Sequence, residues 1–430
     1  MSLITRLPRG TQDVLPEDSF KWQIAEQFIK DCALYYGFSE IRTPVFEHTE
    51  LFLRSVGDTT DVVQKEMYTF NDKANRSITL RPEGTASTVR AFLEHGIYNS
   101  GLPSKLFYFD SCYRYEKPQS GRLREFHQFG AELFGAQDAC ADAEIILLAN
   151  RIFSVLGINR NISLEINSIG CPVCRKNYQN ALINYFKENL DSLCHTCKER
   201  LDKNPMRILD CKNPDCKAIS ENAPVILDFL CNDCQNHFDE VKSYLDNLNI
   251  KYIVNPKIVR GLDYYTRTVF EFIYPLDNVP ITVCGGGRYD GLISELGGKP
   301  TPALGFGLGL ERLIMIAQND ENSILSKAQA PTCDLYVIAM DKTFKLSALK
   351  LCEKVRSGKM SAQCDLLNKS LKAQMKYADK IGASFTMVIG ENEIKNQKAI
   401  VKNMTSKETF EISIGDDFLK DFSYIYSHSL

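Results

Sequence analysis

The chain has 430 residues, a length that predicts two to four domains. Its residues are 44% apolar and 24% charged, which is typical of a globular protein and excludes a largely disordered chain. The formal net charge of −3 excludes a polycation, so any nucleic-acid contact requires a local basic surface.

The first predicted elements are three strands between two helices. Asp18 and Ser19 can cap the first helix, and Gly37 ends it. The run FSEIRTPVFEHTELF contains Pro44, which cannot donate to a neighbouring strand, so we predict an edge or interface strand there. KLFYFDSCYRYE and REFHQFGAELFG read as two strands joined by the loop KPQSGRL, and ADAEIILLANRIFSVLG reads as a helix.

A cysteine-rich segment follows. Eight of the 15 cysteines form four pairs, Cys171/Cys174, Cys194/Cys197, Cys211/Cys216 and Cys231/Cys234. Three pairs have the spacing by which one turn presents two thiolates to one metal. The four pairs can complete one or two tetrahedral zinc sites, and the alternative is a set of reduced thiols without metal.

The remaining elements belong to two regions. RGLDYYTRTVFEFIY and ITVCGGGRYDGLI are strand-like, and PALGFGLGLERLIMIAQ reads as a Gly-rich strand that runs into a helix. A polar stretch, QNDENSILSKAQAP, indicates a linker. Beyond it, the strand-like runs DLYVIAM, FTMVIG and FEISI alternate with LSALKLCEKVRS and LKAQMKYADKIG, which predicts a small α/β domain.

The charge of this last region is uneven. Between positions 341 and 410 there are 14 Lys and Arg against 7 Asp and Glu. A phosphate backbone requires such a basic surface, and the alternative is a solvated lysine-rich face. No apolar run approaches the ~18 residues that span a bilayer, and the first residues contain no apolar signal core. We therefore expect a cytoplasmic protein without membrane contact.

Arginines in apolar surroundings mark a candidate anion site. Arg114, Arg260 and Arg312 each lie among hydrophobic residues, where an unpaired charge is strongly unfavourable. They either form three separate carboxylate pairs or converge on one polyanion such as a triphosphate. The glycines of GGGRYDG and GFGLGL indicate the close approach of a ligand or a second backbone, or else a bulge or tight turn. The chain has no GxxxxGK[ST] loop.

Several motifs, taken in their order along the chain, resemble those of class II aminoacyl-tRNA synthetases, and specifically of bacterial-type histidyl-tRNA synthetases. The segment around Pro44 is similar to the dimer-forming motif, CYRYEKPQSGRLREFHQFGAE to the second motif and GLGLERL to the third. VRGLDYY and GGRYDGL resemble two segments peculiar to the histidine enzymes. The resemblance implies an α+β fold. A catalytic domain on an antiparallel sheet would occupy residues 1–325, interrupted by an inserted Cys-rich domain at 171–250, and an α/β anticodon-binding domain would occupy 331–430.

The resemblance also implies an activity, namely a histidine–tRNA ligase. A homodimer would activate L-histidine with ATP and Mg²⁺ and transfer the histidyl group to the 3′ end of tRNA(His). The implied catalytic residues are Arg114 and Arg260, and the implied ATP-binding residues are Arg114, Glu116, Arg122 and Arg312. The implied histidine-binding residues are Glu83, Thr85, Gln128, Glu132, Tyr264, Tyr265 and Tyr289. Gln119 and Arg124 are the implied tRNA contacts, and zinc on the eight paired cysteines would be a structural addition.

Two other interpretations compete with this one. A paralogue that regulates ATP phosphoribosyltransferase would share the catalytic core, but such paralogues lack the anticodon module and often lose motif residues. A zinc-dependent nucleic-acid-binding protein without enzyme activity would explain the cysteine pairs and the basic C-terminal region. This second interpretation would not explain the arginines of the candidate anion site.

Overall fold

The computed structural model describes residues 5–57, 60, 62–119, 121–209, 211, 213–258, 262–276 and 279–429. The chain divides into two compact units, Met1–Ala328 and Gln329–Leu430. Among the described residues, no helix is both long and apolar enough to traverse a bilayer.

An eight-stranded sheet organises the first unit. The strands of this unit are β1 Ser39–Glu40, β2 Phe46–His48, β3 Thr69–Asn71, β4 Ser77–Leu80, β5 Ser104–Tyr113, β6 Glu125–Phe134, β7 Ser163–Ser168, β8 Ile253–Val254, β9 Thr266–Leu276, β10 Val279–Arg288 and β11 Ala303–Gly309. The order across the large sheet is β1-β5-β6-β11-β10-β9-β7-β8. Its pairs are antiparallel from β5 through to β7, and the two outermost pairs are parallel. The predicted α+β fold on an antiparallel sheet is confirmed.

Helices pack against this sheet in two separate apolar clusters. The helices of the first unit are α1 Pro16–Tyr35, α2 Thr49–Val56, α3 Thr85–Glu94, α4 Ala139–Val155, α5 Pro172–Glu188, α6 His195–Lys203, α7 Pro214–Glu221, α8 Asn232–Asn247, α9 Leu292–Glu295 and α10 Leu310–Asn319. The main core combines Ile29 of α1, Ile145 of α4 and Leu313 of α10 with strand residues such as Phe129 and Phe306. Burial of these apolar side chains is what holds the helices against the sheet.

Three sequence predictions in this unit need correction. Asp18 and Ser19 do not cap the first helix, because α1 begins at Pro16 and both residues lie in its first turn. The run around Pro44 is not one strand, because β1 and β2 lie on either side of Pro44 in different sheets and α2 begins at Thr49. Both short strands are edge strands, and Pro44 lies between them and belongs to neither. The predicted linker also begins later than expected, because Leu325 is fully buried in the main core.

The cysteine-rich segment forms helices α5 to α8 between β7 and β8. It has an apolar cluster of its own, which includes Tyr178, Leu182 and Ile208. By contrast, Phe238 and Leu245 of α8 belong to the main core, where α8 packs on α4. The segment therefore leaves the large sheet at β7 and returns to it along α8.

The second unit is a five-stranded sheet with helices. Its elements are β12 Leu335–Ala339, α11 Lys345–Ser357, β13 Ala362–Cys364, α12 Leu371–Lys380, β14 Phe385–Ile389, α13 Glu391–Asn396, β15 Lys398–Asn403, β16 Thr409–Ser413 and α14 Phe418–Ser429. The order is β13-β12-β14-β15-β16, with the first two pairs parallel and the last two antiparallel. Helices connect the parallel strands, as parallel pairing requires, and the predicted α/β domain is confirmed.

Candidate active site

A cavity of about 220 Å³ lies against β6, β10 and β11 of the large sheet. Five separate stretches of the chain contribute to its wall. It brings together nine of the predicted site residues: Glu83, Thr85, Arg114, Glu116, Arg122, Gln128, Tyr264, Tyr265 and Arg312. Cationic, carboxylic and aromatic side chains therefore share one cavity, which is the arrangement expected of an enzyme site.

Glu132 lies beneath this cavity and is only 1% exposed. Its Oε1 accepts hydrogen bonds from Thr85 Oγ1 at 2.8 Å and from the Tyr108 hydroxyl at 3.0 Å. Its Oε2 accepts a hydrogen bond from the Tyr289 hydroxyl. Burial raises the pKa of Glu132 to about 8, against the hydrogen bonds from Tyr289 and Thr85 that lower it. Burial therefore favours the protonated form of the Glu132 carboxyl.

Glu83 caps the helix that forms the adjacent wall. Its carboxylate accepts hydrogen bonds from the backbone N–H of Thr85 at 2.7 Å and of Ala86 at 2.8 Å, which satisfies donors at the N-terminus of α3. Burial raises the pKa of Glu83, although these hydrogen bonds oppose the rise. Glu83 thus fixes the position of Thr85, which itself donates to Glu132.

Tyr264 and Tyr265 precede β9 instead of forming part of it. Their ring centroids are 4.7 Å apart, and those of Tyr264 and Tyr289 are 5.4 Å apart. Burial raises the pKa of Tyr264 well above 10, so its hydroxyl stays neutral. Three tyrosines from two segments therefore form one aromatic group next to Glu132.

The arginines occupy the other part of the cavity. Arg114 Nε donates to the carbonyl oxygen of Pro82 at 2.8 Å, and Arg122 Nε lies 3.0 Å from a carboxylate oxygen of Glu116. Arg312 is held by the carbonyl oxygens of Gly121 and Thr282 and forms no ion pair with a carboxylate of the described chain. Burial and the neighbouring arginines lower the pKa of Arg312. A largely buried guanidinium without a carboxylate partner would be stabilised by an anionic ligand.

Some predicted site residues lie elsewhere. Arg260 is outside the described residues. Gln119 pairs through its backbone with Arg122 and lines a neighbouring cavity. The Arg124 guanidinium lies 3.8 Å from the ring centroid of Tyr115, and its Nε donates to the carbonyl oxygen of Glu116 at 3.2 Å. Arg124 therefore supports the loop between β5 and β6 from outside the cavity.

Arg288, in the GGGRYDG motif, is not among the residues that line the cavity and contributes to the fold instead. It is fully buried, and both oxygens of Asp142 accept from its Nε at 3.0 and 2.8 Å. It also donates to the backbone carbonyls of Ala136 and Asp138. Asp142 in turn lies 3.2 Å from His237 of α8. This motif thus provides one buried ion pair and, at Tyr289, a partner for Glu132.

Sequence reasoning missed several residues of the site. Tyr108 donates to Glu132, Phe126 and Thr282 line the cavity, and Glu311 accepts from the His127 ring at 2.8 Å. The alternation of side chains along β6 was the available signal, because positions 126, 128 and 132 share one face of the strand.

The eight paired cysteines form two groups of four. The first group is Cys171, Cys174, Cys231 and Cys234, and the second is Cys194, Cys197, Cys211 and Cys216. Within each group all sulfur atoms lie within 4.8 Å of one another, with 3.6 Å between Cys171 and Cys174 and 3.9 Å between Cys194 and Cys211. Four thiolates on one zinc at Zn–S distances of about 2.3 Å lie about 3.8 Å apart. We name these groups the outer and inner thiolate groups of the insert, respectively.

An antiparallel sheet with these motifs around one cavity, followed by an α/β domain, defines a class II aminoacyl-tRNA synthetase. Comparison with known proteins identifies the member of that class. A family model described as histidyl-tRNA synthetase matches residues 10–313, and an anticodon binding domain model matches residues 334–420. The chain belongs to the histidyl-tRNA synthetase family.

Individual relatives agree with this assignment. The chain is 56% identical to a histidine–tRNA ligase of Clostridium novyi (strain NT), across 95% of this chain and 96% of that protein. It is 52% identical to one of Caldanaerobacter subterraneus subsp. tengcongensis, across 96% and 98%. The crystal structure of apo S. aureus histidyl-tRNA synthetase superimposes with a TM-score of 0.81 at 39% identity, covering 97% of this chain and 99% of that one.

A further structural likeness bears on the regulatory paralogue. An ATP phosphoribosyltransferase regulatory subunit/histidyl-tRNA synthetase from Bacillus halodurans C superimposes with a TM-score of 0.61 at 22% identity, covering 88% of this chain and 97% of that one. At this identity the likeness is one of fold alone. The match of residues 334–420 to an anticodon binding domain favours the synthetase.

Proposed function

We propose that this protein is a histidine–tRNA ligase, which forms histidyl-adenylate from L-histidine and ATP and then transfers the histidyl group to the 3′ end of tRNA(His). One observation supports this above the others. Arg114, Arg122 and Arg312 line the same cavity as Tyr264 and Tyr265. A triphosphate and a small aromatic amino acid can therefore lie side by side there.

Adenylate formation requires two anions to meet. The histidine carboxylate attacks the α-phosphorus of ATP, and the bond to the β-phosphate oxygen breaks to release pyrophosphate. Fixed cations suppress the repulsion between the two anions and align them. Arg114 would bind the α-phosphate, Arg312 the γ-phosphate and Arg260 the opposite side of the α-phosphate, while Glu116 and Arg122 close over ATP.

The buried part of the cavity suits imidazole recognition. A neutral imidazole has one donor and one acceptor, so its site needs both complements. Glu132, with Tyr264, Tyr265 and Tyr289 around it, provides carboxyl and hydroxyl groups beneath the cavity. Glu83, Thr85 and Gln128 would hold the amino group and position the carboxylate. A ligand without matching groups would leave these polar groups unpaired, which gives selectivity.

The residues of the cavity also fit a magnesium ion that accompanies ATP. Mg²⁺ is usually bound by one or two carboxylates together with substrate phosphates and water. Glu116 and Glu311 line the cavity and supply oxygen atoms of this kind. When bound, the metal would neutralise charge on the β- and γ-phosphates.

The tRNA would extend over two parts of the chain. Gln119 and Arg124, in or beside the loop between β5 and β6, would meet the acceptor end. The α/β domain would bind the anticodon, and its excess of lysine and arginine between positions 341 and 410 suits a phosphate backbone.

We assign residues 1–325 to the catalytic domain, 171–250 to its insert and 331–430 to the anticodon-binding domain. A homodimer is proposed through the segment around Pro44, since β1 and β2 are both edge strands and Phe46 is 53% exposed. All 15 cysteines are free of disulfide bonds, which agrees with the reducing conditions of the cytoplasm.

We also propose one structural zinc ion in each thiolate group of the insert. Sulfur separations of 3.6 and 3.9 Å match a tetrahedral four-thiolate site. Elemental analysis of purified protein should give two zinc atoms per chain. Cys174→Ser and Cys197→Ser should each remove about one, and a metal-free wild-type protein would contradict the proposal.

Histidine-dependent exchange of pyrophosphate into ATP tests the first step, and charging of tRNA(His) tests the second. Both should depend on histidine and not on other amino acids. A folded, metal-loaded protein that lacks histidine-dependent exchange would refute the assignment and favour one of the two competing interpretations.

A further inference from the structure

Asp263 joins the substrate cavity to the cysteine-rich insert. It immediately precedes Tyr264 and Tyr265, which line the cavity. Its Oδ1 accepts a hydrogen bond from Asn204 Nδ2 at 3.4 Å and lies 3.4 Å from Arg207 Nη2. Its backbone carbonyl oxygen accepts from Arg175 Nη1 at 3.4 Å. We call residues 262–267 the tyrosine segment. One of its residues thus receives three contacts from the insert.

The three donors lie next to the thiolate groups. Arg175 follows Cys174 of the outer group, in the first turn of α5. Asn204 and Arg207 lie between Cys197 and Cys211, which belong to the two halves of the inner group. Order in both groups would therefore limit where these donors can lie.

The catalytic side of Asp263 is constrained as well. Its backbone N–H donates to the carbonyl oxygen of Val56 at 3.2 Å, at the end of α2. A β-carbon on Gly57 would lie 2.8 Å from its Oδ2. The Asp263 carboxylate is therefore held between α2 and the insert.

The far end of the tyrosine segment meets the residues that lead into the insert. Arg267 N–H donates to the carbonyl oxygen of Gly170 at 2.9 Å, and Ile169 N–H donates to that of Arg267 at 2.8 Å. A β-carbon on Gly170 would lie 2.5 Å from that of Cys174. The outer thiolate group thus packs against the residue that pairs with the start of β9.

The junction between the insert and this segment is not fully packed. A cavity of about 520 Å³ lies between the insert and the segment, and Arg175, Arg207, Leu262 and Asp263 are among the residues that line it. Helices α6 and α7 have only nine and eight residues, which is too short for stability without tertiary contacts or metal. The position of the donors therefore depends on an ordered insert.

We propose that the insert, ordered by metal at its two thiolate groups, positions the histidine-binding tyrosines through Asp263. This inference rests on the proposed function. Asp263 acts as a positioning residue, and the insert is a determinant of histidine affinity in addition to any contact with tRNA. Loss of metal from either group should weaken histidine binding more than ATP binding.

The test compares full-length variants in pyrophosphate exchange. Arg207→Gln and Asp263→Asn should each raise the KM for histidine roughly fivefold, with the KM for ATP changed less than twofold. The double variant should be no worse than the more impaired single variant, because both changes break the same contact. Arg207→Lys should restore part of the affinity.

Cys211→Ser should lower the zinc content and raise the histidine KM, whereas Cys140→Ser changes an exposed thiol outside both groups and should do neither.

A second measurement does not depend on activity. Amide hydrogen exchange at residues 262–267 should be faster in Arg207→Gln and Cys211→Ser than in wild type and Cys140→Ser. Unchanged exchange there together with an unchanged histidine KM would overturn the inference. If wild type shows no histidine-dependent exchange of pyrophosphate, the proposed function fails, and amide exchange alone then decides whether the insert orders the segment.

Discussion

Glu132 lies directly opposite Gly305 across the antiparallel pair of β6 and β11. A β-carbon on Gly305 would overlap with Oε2 of Glu132. A similar overlap occurs two residues further on, where Gly307 pairs with Gly130 and a β-carbon on Gly307 would overlap with the side-chain amide of Gln128. These glycines therefore provide the space in which two proposed histidine-binding side chains lie across the sheet.

Gly305→Ala should displace the Glu132 side chain and disrupt the pocket beneath the cavity. We expect histidine-dependent exchange to fall by roughly 100-fold, and overpacking to cost about 1–3 kcal/mol of the free energy of unfolding. Steady-state kinetics and urea unfolding measure the two effects. Gly291→Ala is the matched control, since its β-carbon would only approach Glu295 Oε1 at 3.4 Å. Equal activity of both variants would exclude this role for Gly305.

The raised pKa of Glu132 predicts a pH dependence of stability. In the unfolded chain this carboxyl loses its proton near its ordinary pKa of 4.5, whereas the folded chain holds the proton up to about 8. The folded state therefore binds more protons in this window, and the contribution of Glu132 to stability falls as the pH rises from about 4.5 to 8.

Glu132→Gln removes this titration. The loss of unfolding free energy between pH 5.5 and 8.5 should be smaller in the variant than in wild type, by a few kcal/mol in order of magnitude. Urea unfolding at both pH values measures the difference. Glu188→Gln, at an exposed position of α5, should keep the wild-type profile. Identical profiles for wild type and Glu132→Gln would show that Glu132 is already ionised at low pH.

Much of the catalytic fold was predictable from local pattern. Strands β5 and β6 were predictable because two apolar, aromatic-rich runs flank the polar loop KPQSGRL, and Gly37, with φ +76°, follows the end of α1 as predicted. The segment around Pro44 was not predictable in this way, because its division into two short strands depends on which sheet each half joins. Pairing with β5 and with β4 decides that.

Contacts within the candidate site were likewise not predictable where they join residues that are distant in the sequence. The sequence marked Arg114 and Arg312 as costly charges, but the resemblance was needed to bring them together. Spacing alone left open which cysteine pairs meet, because the turns between the helices decide that pairing. The carboxylate of Asp142, 146 positions from Arg288, has no local signal. Only the folded chain distinguishes this structural arginine from those of the cavity.

Arg312 offers a direct test of the anion site. Its guanidinium is oriented by the carbonyl oxygens of Gly121 and Thr282, at 2.8 and 2.5 Å. Arg312→Gln should lower kcat/KM for ATP by roughly 100- to 1,000-fold, as expected when a charged phosphate contact is lost. Arg312→Lys should recover only part of this, because lysine lacks the planar fork. The KM for histidine should change much less, and Arg160→Gln, at an exposed position, should leave both constants near wild type. A similar loss for histidine and ATP would argue against a phosphate contact.

Substitution of Arg288 should affect the stability of the fold, whereas substitution of Arg312 should affect activity with ATP. Its ion pair with Asp142 is buried on both sides, at 0% and 2% side-chain exposure. Arg288→Met leaves the Asp142 carboxylate buried and uncompensated, so we expect a loss of about 3–5 kcal/mol in the free energy of unfolding. The control is Arg76→Met, which breaks a pair with Asp72 whose arginine side chain is 65% exposed, and its stability should remain close to wild type. Arg288→Met/Asp142→Leu should regain part of the stability by removing both charges. Failure of the double variant to do so would show that Asp142 is stabilised mainly by His237.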